Sequence, residues 1–158
     1  QASNEGILIH RLMETLHYDW EFDFSRVIDD WFGPQAARAK MALEYVNSCS
    51  FPPMKELIQK GEVEWGFQVP TTKGILEGQI DLWGRDTQGR AWLVDYKSGS
   101  EKYLDKALHQ LSLYSLALRK WGVDEEIQLA VVYPLSAKSH IRLAPSETEL
   151  VKIFPELF

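Results

Sequence analysis

The chain is poor in cysteine, in long apolar runs and in surplus positive charge. Its one cysteine among 158 residues, Cys49, excludes an internal disulfide and any four-cysteine metal cluster within the chain. No apolar stretch approaches the roughly 18 residues of a membrane span. The opening QASNEG lacks the basic-then-apolar order of a secretory signal. A reducing, cytoplasmic setting fits these absences. The start at Gln rather than Met leads us to expect a piece cut from a larger protein. Lysine and arginine number 17 against 23 acids, for a net charge of −6. That argues against a protein that coats nucleic acid through general basicity, but not against a nuclease, whose metal-binding carboxylates are acidic by necessity. No internal repeat, low-complexity tract or linker is visible.

What is present is an ordinary globular composition, 45% hydrophobic and 25% charged, at a length that predicts one domain with a real core. The pattern organises around Gly78–Ser98. Two runs rich in β-formers, Leu76–Trp83 and Ala91–Tyr96, flank the polar loop Asp86-Thr87-Gln88-Gly89-Arg90, which predicts a hairpin. Residues two apart in a strand share a face. Asp95 and Lys97 therefore point one way, and Val94 and Tyr96 the other. If the hairpin pairs Asp81 near Asp95, two carboxylates and an ammonium converge. Two close carboxylates repel unless a proton or cation lies between them, and a divalent metal is the usual resolution.

On either side the chain reads as follows. Ser3 or Asn4 caps a helix over Ile7–His17. It carries Ile7, His10, Arg11 and Glu14 on one face and Leu8, Leu12 and Leu16 on another. Short helices are expected over Ser25–Phe32 and Met54–Lys60, and a longer one over Ala36–Val46 after Pro34. Glu62–Val69 alternates cleanly, predicting a half-buried strand with Val63, Trp65, Phe67 and Val69 on one side. Lys102–Trp121 is the longest helix, with Leu104, Leu108, Leu111, Ser115 and Leu118 as its core stripe and Gly122 as its stop. Ile127–Tyr133 reads as a buried strand and His140–Leu143 as a short edge strand. Ser146 caps a last helix with Glu149 as its capping-box partner. The order of helices, three meandering strands, a long helix and a strand predicts an α/β fold. Its sheet is mixed, because a strand–helix–strand crossover places its strands parallel.

Each candidate residue also has a plain structural reading. Aspartate is a poor strand former, yet Asp81 or Asp95 alone is accounted for by a solvated strand face. Their comparable places on adjacent strands are what favour a site. Lys97 alone is an ordinary strand-end lysine; two residues beyond Asp95 it becomes a candidate for orienting a water. Glu64, on the strand before the hairpin, is a candidate for supporting the site. His10 alone reads as a helix-surface histidine. Gln110 and Tyr114 share a helix face, which boundary packing also explains. His109 and His140 have no evident partners.

Four segments, GILIHRLMETL, LEGQIDLW, WLVDYKSGS and HQLSLYSLAL, resemble in order the motifs of the RecB/AddA-type nuclease domain of the PD-(D/E)XK superfamily. That domain is the C-terminal part of bacterial helicase–nucleases that process double-strand breaks. The resemblance spans roughly residues 6–134. It implies an αβββαβ restriction-endonuclease-like core, here with extra N-terminal helices, and a single nuclease domain over 1–158.

The resemblance also implies a set of roles. The metal ligands fall on His10, Asp81, Asp95 and the backbone carbonyl of Tyr96, and the catalytic lysine on Lys97. Gln110 and Tyr114 support the site or contact DNA. The cofactor implied is Mg²⁺ or Mn²⁺, without the iron–sulfur cluster of the four-cysteine branch. The activity implied is hydrolysis of single-stranded DNA from an end, in repair and recombination, beside helicase domains or a helicase partner and away from any membrane. Two other readings stay open: a nuclease-fold domain that only binds DNA or tethers a helicase, and a metal-dependent phosphatase of small substrates.

Overall fold

The structure, a computed structural model, describes residues 4–158. Five strands form one sheet in the order β1-β2-β3-β4-β5. The strands β1 (Glu62–Thr71), β2 (Gly74–Arg85) and β3 (Ala91–Tyr96) meander antiparallel. The long helix α5 (Leu104–Trp121) then crosses over to β4 (Ile127–Tyr133), which lies parallel to β3. The edge strand β5 (Lys138–Leu143) returns antiparallel. The mixed α/β sheet expected from the element order is the one observed.

Helices cover both faces. On one face pack α1 (Asn4–Tyr18), α2 (Ile28–Phe32), α3 (Ala36–Ser48) and α4 (Met54–Lys60), sharing a core with Leu82, Trp92, Val94, Tyr96, Ala130 and Val132. On the other pack α5 and α6 (Glu147–Ile153), against Phe67, Val69, Ile80, Leu93, Leu129 and Val131. Strand β4 contributes to both cores because every residue but Gln128 is buried, as its otherwise apolar run requires. No helix among the described residues is long and apolar enough to cross a membrane.

Local signals account for most boundaries. Gly122 ends α5 in a left-handed conformation, φ 110°, which glycine adopts at little cost. Ser146 and Glu149 form the full capping box of α6. The loop after β2 is organised by Asp86, whose buried carboxylate accepts from the Gln88 and Arg90 amides, Arg90 Nε and Trp92 Nε1. Burial pushes this carboxyl upward, but those hydrogen bonds outweigh it and hold it below the usual range.

Four expectations need correction. The segment expected as one helix over Ser25–Phe32 is a 3-10 turn, Phe24–Arg26, followed by α2, with Val27 between them. Helix α5 begins at Leu104, after a 3-10 turn over Glu101–Tyr103. Helix α1 already includes Asn4, the first described residue, so Asn4 lies in the helix and is not its cap; the alternative cap Ser3 lies outside the described residues. Most consequentially, Val63 packs on the face opposite Trp65, Phe67 and Val69. Glu64 between them has φ 47°, a conformation rare for a residue with a side chain, and it turns the strand over.

Candidate active site

The same change of face occurs on the neighbouring strand. Ile80 packs with α5, whereas Leu82, two residues on, packs with the N-terminal helices. In the β1–β2 register Val63 pairs with Leu82 and Trp65 with Ile80. Glu64 and Asp81 thus face each other at the point where both strands roll.

Here β2 also leaves β3. Their pairing runs from Arg85–Ala91 to Leu82–Val94 and stops. One step further, where Asp81 meets Asp95, the ladder is replaced by a side chain: the Tyr96 amide donates to Asp81 Oδ2 at 2.8 Å. A fork opens between the strands, and acids line both prongs. A lone acid inside a strand reads as an anomaly of propensity; at the fork Asp81 takes the place of a ladder carbonyl for the Tyr96 amide.

Lys97 Nζ lies 3.2 Å from Asp95 Oδ2. That oxygen is buried, yet it makes no well-directed hydrogen bond. His10, from α1 on the opposite layer, brings Nε2 to 3.9 Å from Asp81 Oδ1, and its ring meets the buried Tyr96 ring edge-on at 6.2 Å. The Asp81 and Asp95 side chains are 16% and 18% exposed, against 42% and 41% for His10 and Lys97. The site therefore has a half-buried acidic floor and a wetter rim.

Electrostatics sharpen the picture. Burial, then the charge of Asp81, push the Asp95 carboxyl up to about 7, against the pull of Lys97. Burial also raises Asp81, opposed by the Tyr96 amide, and Glu64 raises it further. Without a cation, the two carboxyl groups share a proton across a hydrogen bond. A raised carboxyl, a buried oxygen that is ion-paired to Lys97 but makes no well-directed hydrogen bond, and two convergent acids fit a hard divalent cation, which needs only one or two protein carboxylates and keeps several waters. No three His, Cys, Asp or Glu side chains among the described residues cluster as a ready-made ligand set. The acidic pair, not a closed cage, is what the fold supplies.

Gln110 and Tyr114 lie on α5 with Gln110 Nε2 donating to the Tyr114 hydroxyl at 3.2 Å. Tyr114 lies against Gly78, where a Cβ would come within 2.7 Å of Tyr114 Cζ and 2.9 Å of Phe67 Cζ. The glycine three residues before Asp81 is thus what lets α5 close on β2. Glu64 is exposed and reaches the site through its charge on Asp81.

Two histidines without evident partners have them here. His140 Nε2 lies 3.2 Å from Glu101 Oε2, and Lys138 pairs with the same carboxylate at 3.5 Å. His109 packs against the Phe154 ring at 4.8 Å. The sheet register sets the Glu101 partner His140 in the same row as the site: Asp95 pairs with Val131, and Val131 with His140. No local pattern marks Glu101, because β5 reaches it only through its register on β4.

Comparison with known proteins gives three findings. No curated protein matches the chain. Among solved structures, the one titled "Crystal structure of SSO0001" is similar at 16% identity, covering 94% of this chain and 69% of that one with a TM-score of 0.39. A model of the PD-(D/E)XK nuclease superfamily matches residues 1–152, a span that includes the fork, its two aspartates and Lys97. The chain belongs to the PD-(D/E)XK nuclease superfamily.

Proposed function

We propose that this domain is a Mg²⁺- or Mn²⁺-dependent deoxyribonuclease of the RecB/AddA type, cutting single-stranded DNA from an end. We place it in double-strand-break repair and recombination, joined to or partnered with a helicase that delivers the strand. The observation that carries the reading is the fork: Asp81 and Asp95 converge, with Lys97 Nζ 3.2 Å from the buried Asp95 Oδ2.

Asp81 and Asp95 would hold the cation, with the Tyr96 carbonyl and His10 completing its protein ligands. A bound divalent cation supplies Lewis-acid polarisation of the scissile phosphate. Lys97 orients the attacking water and offsets negative charge growing on the phosphate oxygens. Its ammonium is anchored by Asp95, so it is aimed before substrate arrives and needs little reorganisation. The Tyr96 amide fixes the Asp81 rotamer, leaving Oδ1 toward the cleft. Gln110 and Tyr114 brace the wall that faces the strand.

The reading is tested by incubating a labelled single-stranded oligonucleotide with the domain, its Asp81→Ala and Lys97→Ala variants, and a mononucleotide control. Metal-dependent cutting lost in both variants, with the mononucleotide untouched, supports it. Retained cutting in Asp81→Ala removes the site assignment. Hydrolysis of the mononucleotide alone favours a phosphatase.

A further inference from the structure

Beyond the fork lies a second feature that the proposed chemistry does not use. A groove of about 700 Å³ runs between α5, the start of β2 and the C-terminal turn, and Lys97 forms one of its walls. Its floor is apolar, with Leu76, Leu113 and Leu157 all half-buried. Tyr103, the last residue of the 3-10 turn that leads into α5, and Lys106, Gln110 and Leu113 on α5 follow one another at intervals of three and four, a spacing that sets them along one side of the helix. All four line the groove. Tyr103 is 63% exposed, a large ring turned to solvent where the core has no use for it. Further along, the exposed His109 packs on the buried Phe154 ring in the groove wall.

We propose that this groove is a base-binding subsite, which seats unpaired nucleobases of the strand whose phosphate lies at Asp81, Asp95 and Lys97. Three features select that occupant. The groove is continuous with the fork through Lys97, so a chain held at one continues into the other. The wall carries Lys106 and Lys97 against the single acid Glu156, in a protein of net charge −6; Lys97 is paired with Asp95, so Lys106 is the cation the groove adds for a phosphate. An exposed ring above an apolar floor is the arrangement on which bases of any sequence stack. A paired duplex has no free base faces to offer, so the subsite selects unpaired strand. The inference rests on the nuclease reading for its direction but not for its test.

Binding is measured without chemistry, by fluorescence anisotropy of labelled dT12 in EDTA. The partners are wild type, Tyr103→Ala and Lys106→Glu, and the same strand carrying abasic sites is run in parallel. Both side chains are exposed, and unchanged thermal melting confirms folding. Tyr103→Ala is expected to weaken dT12 binding about fivefold or more, the lower range for one stacked base. The abasic strand should bind wild type as weakly, with no further loss in Tyr103→Ala. Lys106→Glu should weaken both strands. Equal affinity for dT12 and the abasic strand in wild type, or no effect of Tyr103→Ala, overturns the subsite. Wild-type cleavage with Mg²⁺ separates the two readings. Cutting without Tyr103-dependent binding leaves the nuclease and removes the groove; Tyr103-dependent binding without cutting does the reverse.

Discussion

At the scale of the residue, the decisive quantity is the proton shared by Asp81 and Asp95. An unfolded aspartate titrates near 3.9, whereas Asp95 in the folded, metal-free chain is held up to about 7. Between those values the folded state keeps a proton that the unfolded state has released. Stability therefore falls as pH rises from about 4 to about 7, and the loss is complete above the folded value. The EDTA-treated domain should melt at a lower temperature at pH 8 than at pH 5.5. Asp95→Asn should flatten that dependence and stabilise the metal-free form at pH 8. Mg²⁺ should raise the wild-type melting temperature at pH 8 and leave Asp95→Asn unmoved. Equal pH profiles for wild type and Asp95→Asn would show that the pair is not coupled. Lys97→Ala separates chemistry from binding: cleavage should drop by about 10²–10³-fold, the usual loss on removing one electrostatic stabiliser, while calorimetry finds Mn²⁺ affinity little changed. A variant that loses the metal instead would give Lys97 a different role.

At the scale of the element, the site is made by strands that fail to continue. Glu64 and Asp81 sit where β1 and β2 both change face, and β2 then parts from β3. Gly78 sets how closely α5 approaches that fork. Gly78→Ala forces a methyl against Tyr114 and Phe67, and overpacking of this kind costs about 1–3 kcal/mol; denaturant melts and single-turnover cleavage should both fall. Asp86 tests the opposite end of the hairpin. Asp86→Ala strands the buried Trp92 indole N–H, at a cost of about 1–3 kcal/mol, with Asp81, Asp95 and Lys97 in place.

Much at this scale was legible in advance. The boundaries of α4, the capping box of α6 and the left-handed stop of α5 depend on residues within one helical turn, and local chemistry decides them. The alternation of β1 was legible only in part. A period of two assumes a uniform strand, and the roll at Glu64 is enforced by the partner strand and the two helical layers, none of which is adjacent in sequence. The convergence of Asp81, Asp95 and Lys97 was readable because one hairpin carries all three. His10 was placed by family resemblance alone, and the Glu101–His140 pair had no signal, because distant elements bring them together. Asp86 read as a turn residue, although its reach to Trp92 makes it part of the buried framework.

At the scale of the molecule, two helical layers clamp the sheet: α1 brings His10 to Asp81, and α5 brings Gln110 into the groove that Lys97 also lines and Tyr114 against Gly78. The cleft is thus as rigid as the packing of both layers. The acidic balance of −6 weighs against strong affinity for nucleic acid in the isolated domain, since that affinity comes from neutralised phosphates. With Lys97 and Lys106 as the cations of the channel, the slope of log affinity for single strands against log salt should be shallow, about −1.4 for two phosphates. A much steeper slope would point to a basic surface elsewhere. Delivery by a helicase would supply the local concentration that the domain's own charge does not.

The most direct measurement is cleavage of an end-labelled single-stranded oligonucleotide by the purified domain with Mg²⁺, with Mn²⁺ and with EDTA, beside Asp95→Ala. Cutting that requires the metal and disappears in the variant is the expected result, with calorimetry showing Mn²⁺ bound by wild type and lost with Asp95. Cutting that persists in Asp95→Ala, or a wild-type domain that neither cuts nor binds Mn²⁺, would contradict a metal-dependent nuclease centred on the fork between β2 and β3.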